Sequence, residues 1–131
     1  MNELKLKLNK IFNNIDKNID LLLIMNTGIA DPNFYYLTGF TSGLFEQNIL
    51  LVYKDNIELI TNKLEVKIAL KQKTKNMKII EINKSNEFKK YLKQKINKKV
   101  IGLNFSFLPI AYFNYFKKYK PQKIINSSNA F

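Results

Sequence analysis

Histidine and cysteine are both absent from this chain, so acid–base chemistry near neutral pH would fall to carboxylates. The absence excludes a Ser-His-Asp or Cys-His triad, imidazole metal ligands, disulfides and thiolate metal clusters. The carboxylates open to such work are Asp31, Glu46, Asp55, Glu58, Glu65, Glu81 and Glu87. Paired-carboxylate chemistry needs two of them at one site, and no spacing marks such a pair. Asp31 and Glu65 fit helix caps, and Asp55 fits a hairpin turn. Glu58 and Glu81 lie at alternating strand positions that could face solvent. Glu46, between an aromatic loop and a strand, is the least explained. Neither a G-x-G-x-x-G nor a G-x-x-x-x-G-K-[ST] phosphate loop occurs.

Charge suggests a second kind of chemistry. The 131 residues include 22 basic and 10 acidic side chains, and every basic one is lysine. Between Lys63 and Lys99 there are 13 lysines and 3 glutamates, which carry +10 of the net +12. Such a stretch could bind phosphates non-specifically, or could simply be a solvated surface. Without arginine there is no bidentate reader of guanine or phosphate, which disfavours nucleic acid. Lysine, asparagine and isoleucine are all abundant, a pattern expected of AT-rich coding. Tyr112, Tyr115, Phe116 and Tyr119 could form a base-stacking platform, but their helical spacing favours a core-facing stripe.

The elements that would position these groups can be read from periodicity. Leu4, Leu8, Ile11, Phe12, Ile15 and Ile19 form one helical face, predicting a helix over 3–17. An apolar run at 20–25 suits a strand buried on both faces. Asp31 and Pro32 start a short helix that closes near Gly39. Strands at 48–53 and 57–61 form a hairpin through Asp55-Asn56. Asn62 and Glu65 form a capping box for a helix to about Lys73. A strand at 77–82 comes next, then a helix capped by Ser85. A strand at 99–104 leads to a helix opened by Pro109 and stopped before Pro121. A strand at 123–126 ends the pattern. Strand–helix alternation implies βαβ crossovers, and the hairpin makes the sheet mixed. One domain is expected at this length. No stretch reaches the roughly 18 apolar residues of a membrane span, and the N-terminus lacks a signal-peptide pattern, so a cytoplasmic domain is expected.

The aromatic loop is the strongest functional candidate. Its sequence, Asp-Pro-Asn-Phe-Tyr-Tyr-Leu-Thr-Gly-Phe at 31–40, resembles the N-x-x-YLTGF hallmark of one domain type. That type is the N-terminal domain of the Xaa-Pro aminopeptidase, prolidase and creatinase family, the pita-bread metallopeptidases. The apolar run before the motif, the hairpin after it, Leu64-Glu65 with Ala69, and Val100-Ile101-Gly102 agree in order and spacing. The resemblance covers about 3–126. It implies an α/β fold of ribonuclease-H-like motif, with a mixed, mostly parallel sheet of five to six strands flanked by helices.

The resemblance also implies a division of labour. Residues 1–126 would be the creatinase/prolidase-type N-terminal domain, and 127–131 the start of a linker to an absent C-terminal catalytic domain. That catalytic domain would bind two divalent metal ions and act on proline-containing peptides, so the whole enzyme would be a hydrolase. This chain would hold no cofactor and no catalytic residue. It would serve oligomerisation and active-site access, with a homo-oligomer or the catalytic domain of its own or a neighbouring subunit as partner. Asp31, Asn33, Tyr35, Tyr36, Thr38 and Phe40 are then the substrate-entrance or interface candidates, with Leu37 as packing and Gly39 as a turn. The alternative is a stand-alone binding module, for a protein partner or for polyanions through the 63–99 lysines.

Overall fold

A computed structural model describes residues 2–15 and 18–131. The elements in chain order are α1 (Glu3–Asn13), β1 (Leu21–Met25), α2 (Pro32–Thr38), β2 (Ile49–Val52), β3 (Ile57–Thr61) and α3 (Val66–Gln72). They continue with β4 (Met77–Glu81), α4 (Ser85–Ile96), β5 (Val100–Leu103), α5 (Ile110–Lys117) and β6 (Lys123–Asn126). The first helix is shorter than its apolar spacing predicts. It stops at Asn13, and 16–17 lie outside the described residues. Its start is fixed by Asn2, whose side chain accepts from the Lys5 amide at 2.8 Å.

The six strands form one sheet in the order β4-β3-β2-β1-β5-β6. Parallel pairing joins β3 to β4, β1 to β5 and β5 to β6. The hairpin gives the expected antiparallel pair of β2 and β3. A second antiparallel pair, β1 with β2, was not legible from the sequence, because a long segment separates them.

Every residue of β2, β3 and β5 is buried, as is β1 up to Ile24, because helices cover both faces. On one face α1, α2 and α3 pack over Leu22, Ile24, Leu50, Val52, Ile57 and Leu59. On the other, α4 and α5 pack over Leu21, Leu23, Ile49, Leu51, Ile60, Ile101 and Leu103. Right-handed crossovers explain this split. The chain steps outward from β3 to β4 through α3, then crosses back through α4 and moves outward the other way through α5.

Burial on both faces corrects the reading of Glu58. Its side of β3 meets α4 rather than water, leaving Glu58 8% exposed. The Tyr91 hydroxyl donates to its Oε1 at 2.6 Å, and Lys95 Nζ stands 3.7 Å from the same oxygen. Glu81, on edge strand β4, does face solvent. Two helix starts also differ from expectation. Ser85 is the first residue of α4 rather than its cap, and Lys84 at the cap position makes no side-chain cap bond. No capping box forms at α3, because Glu65 turns its carboxylate to another part of the chain.

Candidate functional site

β1, β3 and β5 run in the same direction, so the segments that leave their carboxyl ends gather at one end of the sheet. The long segment 26–48 dominates that end. Asn26 leaves β1 with 1% exposure and organises the whole segment. Its Oδ1 accepts from the Asp31 amide at 3.0 Å, and its Nδ2 donates to the Phe45 carbonyl at 3.3 Å. Its backbone pairs with Asn48 and Gln47. Asp31 caps α2 as predicted, with Oδ1 accepting from the Asn33 amide at 2.9 Å. Its Oδ2 accepts from Asn104 Nδ2, at the end of β5, at 3.4 Å.

These three buried side chains tie the start of the motif to two strands. Burial pushes the Asp31 carboxyl above its usual range, while the bonds from Asn33 and Asn104 act in the opposite direction. The chemistry available is that of one carboxylate bonded to amides, with no second carboxylate in the hydrogen-bonded group. Among the described residues no group of three or more Asp, Glu, His or Cys could hold a metal ion. Asn26 and Asn104 were not singled out from the sequence. Their one signal is a polar residue closing each of two buried apolar strands.

The motif points largely inward. Phe34, Leu37 and Phe40 are buried in the core on the α1–α3 face. Thr38 is buried, and its hydroxyl accepts from the Phe40 amide at 3.2 Å. Asn33 and Tyr35 are half-buried. The Tyr35 hydroxyl lies 2.8 Å from the Leu44 carbonyl and 3.2 Å from that of Gly43, with its single proton shared between them. Burial, and then the Glu65 charge, raise the Tyr35 phenol above its ordinary value.

Tyr36 is the exposed aromatic of the motif, at 42%. Lys7 donates to its carbonyl at 2.7 Å and places Nζ 4.6 Å from its ring centroid. The Phe131 ring meets Tyr36 edge-on at 6.5 Å. Residues 127–131 lie against the domain. The Ser127 amide donates to the Leu103 carbonyl at 2.8 Å, and Ala130 is buried.

Side chains from α3 and its approach shape the loop after the motif. Gln72 accepts from the Thr41 and Ser42 amides and donates to the Ser42 carbonyl. Glu65 accepts from the Phe45 amide through Oε2 and from Asn48 Nδ2 through Oε1. Those two residues hold a backbone with left-handed φ at Gly39, Gly43, Phe45 and Gln47. The Phe45 ring packs between Phe34 and Phe40, at centroid distances of 5.7 and 5.2 Å. Glu46, unexplained in the sequence, is exposed there.

The same end of the sheet carries a rim of exposed apolar side chains. Ile29 and Leu44 project from the long segment, and Leu64 from the turn after β3. Phe105, Phe107 and Ile110 project from the segment after β5. Phe105, Leu108, Ile110 and Phe113 line an apolar groove there. None of these residues was a site candidate in the sequence; those in loops carry no periodicity to show which way they point. The stripe on α5 does face inward. Phe116 and Tyr119 are buried and Tyr112 and Tyr115 half-buried, while the neighbouring Ala111 is exposed.

Residues 7–131 match the creatinase/prolidase N-terminal domain. The chain belongs to that family. The Xaa-Pro dipeptidase from Bacillus anthracis is similar in structure, with a TM-score of 0.74 at 21% identity, over 98% of this chain and 34% of that one. X-Pro aminopeptidase from Thermotoga maritima gives 0.70 at 22% identity, over 95% and 33%. A structure of aminopeptidase P from Streptococcus thermophilus gives 0.68 at 20% identity, over 98% and 95%. This creatinase/prolidase-type domain thus spans about a third of the first two. No curated protein matches it by sequence. Among the described residues no helix is long and apolar enough to cross a membrane.

Proposed function

We propose that this chain is the non-catalytic N-terminal domain of a Xaa-Pro aminopeptidase- or prolidase-type metallopeptidase. In this reading it mediates oligomer contacts and shapes access to an active site carried by a C-terminal catalytic domain. That domain would hold two divalent metal ions and cleave proline-containing peptides in the cytoplasm, and residues 127–131 would lead toward it.

The observation that supports this reading best is the apolar rim of Ile29, Leu44, Leu64, Phe105, Phe107 and Ile110. Six large apolar side chains exposed at one end of a small domain favour a covered surface over a wet one. Of the motif candidates, the exposed Tyr36 and the half-buried Asn33 and Tyr35 would contribute at such a surface. Asp31, Thr38 and Phe40 would act through the shape of the loop they hold.

Immunoblotting of source cells with an antibody against this domain tests the proposal. The expected result is a band well above 15.4 kDa whose immunoprecipitate hydrolyses Xaa-Pro peptides on addition of divalent metal. A band at 15.4 kDa that captures no peptidase would overturn it. Hydrolysis by the purified 131-residue chain alone would overturn the non-catalytic assignment.

A further inference from the structure

The helices α4 and α5 run back from the apolar rim, so their carboxyl ends meet at the opposite end of the sheet. Three hydrogen bonds join those ends. Asn97 Nδ2 donates to the Tyr119 carbonyl at 3.2 Å, the Lys98 amide to the Lys120 carbonyl at 3.0 Å, and the Gln122 amide to the Lys99 carbonyl at 2.8 Å. Between the helices lies a cleft of about 580 Å³ lined by Lys89, Lys90, Lys93, Asn97, Lys118, Tyr119 and Lys120.

Five exposed lysines, from two elements far apart in sequence, thus line one concave space. No carboxylate lines the cleft, and among the described residues the ion pairs are Lys7 with Glu3 and Lys95 with Glu58. The one glutamate of α4, Glu87, sits in its first turn, three residues before Lys90, and is not among the residues lining the cleft. Lysines near a helix carboxyl end complement its dipole, which accounts for Lys93 and Lys118. It does not account for Lys89 and Lys90, earlier in α4, or for Lys120, beyond the end of α5.

We propose that this cleft binds the phosphate chain of a compact oligophosphate, either an inorganic polyphosphate or a nucleoside triphosphate. Several like charges held around one concave space suit a ligand that concentrates negative charge over a few atoms. Lysine provides this as a point charge, without the bidentate geometry of arginine. The volume falls in the range of small-molecule sites. The hydrogen bonds between the helix ends fix the backbone of the cleft before a ligand arrives, which limits the ordering cost of binding. A single-stranded nucleic acid would need aromatic faces for its bases. The α5 aromatics are instead packed against the core, and Tyr119 donates its hydroxyl to Tyr115.

The test is isothermal titration of the purified chain with sodium tripolyphosphate, and separately with a nucleoside triphosphate. Two triple variants accompany it. One is Lys89→Gln, Lys93→Gln and Lys120→Gln in the cleft. The other is Lys67→Gln, Lys71→Gln and Lys78→Gln, exposed on α3 and β4, which removes the same charge elsewhere. One saturable site is expected, weakened about tenfold or more by the cleft triple and less than about twofold by the control. Equal affinity for both ligands would assign recognition to the phosphate chain alone, and tighter nucleotide binding would add a nucleoside contact. Both results support the site. Equal weakening by the two triples, or no saturation by about 1 mM ligand, would overturn it. Tighter binding of a mixed-sequence oligonucleotide, sensitive to both triples, would also overturn it and assign the lysines to diffuse polyanion attraction. Circular dichroism of both variants confirms that the fold is retained.

Discussion

Replacing Glu65 with alanine should destabilise the loop after the motif rather than the helix that Glu65 precedes. Its Oε2 accepts from the Phe45 amide at 2.5 Å, and its Oε1 accepts from Asn48 Nδ2 at 3.2 Å. A net hydrogen bond to a charged group contributes about 1.5–3 kcal/mol. Phe45 is fully buried, so its amide bond counts nearly in full. Asn48 Nδ2 keeps a second acceptor, the Glu46 carbonyl at 3.0 Å, so that bond counts for less. Glu65 itself is half-exposed, which lets water replace part of the loss. Together these give about 2–4 kcal/mol, or a Tm drop of roughly 8–16 °C for a chain of this size.

Urea unfolding followed by circular dichroism measures the loss, and hydrogen exchange at the Phe45 amide locates it. Glu65→Gln separates this role from helix capping. A capping box tolerates glutamine, so a capping role predicts little change for Glu65→Gln and about 1 kcal/mol for Glu65→Ala. The loop role predicts that glutamine recovers only the Phe45 bond, because its amide cannot also accept from Asn48 Nδ2. Removing the charge should also lower the Tyr35 pKa, while burial keeps it above 10.0. A loss below about 1 kcal/mol, with Phe45 protection unchanged, would show that Glu65 does not hold this loop.

Gly43→Ala and Gly39→Ala form a second test. Both glycines have left-handed φ, but a Cβ at Gly43 would stand 2.5 Å from the Phe45 ring while one at Gly39 meets nothing within 4 Å. Backbone strain alone predicts about 1–2 kcal/mol at Gly39, and added overpacking about 2–4 kcal/mol at Gly43; equal urea midpoints would show the ring contact to be loose. Asp31 should make stability fall as pH rises. Its folded pKa is raised, so its contribution is full below the ordinary value of 3.8 and is lost as pH passes through the folded value. Urea midpoints of the wild type minus those of Asp31→Asn, taken across acidic pH, should show that slope, and a flat difference would count against it. Finally, burial first and Glu58 second push the Tyr53 phenol up to about 12. Glu58→Gln should move the late phase of tyrosinate absorbance downward without returning Tyr53 to 10.0, whereas an unmoved late phase would remove Glu58 as a cause.

Local signals explain how far the fold was legible. Apolar patterning together with cap and turn residues located all eleven elements, since a helix or strand must show an apolar face to be buried and its ends need particular residues. Asp31-Pro32 and Gly39 marked the ends of α2 because their conformational preferences act within a few residues. The motif at 31–40 pointed to the family through its residues alone. Of the candidate site, the chain segment was legible and the exposed surface was not. Thr38 and Phe40 are buried, whereas the rim residues Ile29, Leu44 and Phe105 sit in loops without a pattern.

The order and type of elements, the two ends of α2 at Asp31 and Gly39, the family, and the lack of any histidine or cysteine for catalysis are all legible along the chain. Assembly of the sheet and its helices chose which groups meet. It set β1 between β2 and β5, covered Glu58 with α4, and took Glu65 from a helix cap to the Phe45 loop. It also brought the lysines of α4 to those beyond α5. The physical reason is range. Propensity and periodicity act over a few residues along the chain, whereas burial, hydrogen-bond pairing and charge density depend on elements that become neighbours only when the sheet assembles.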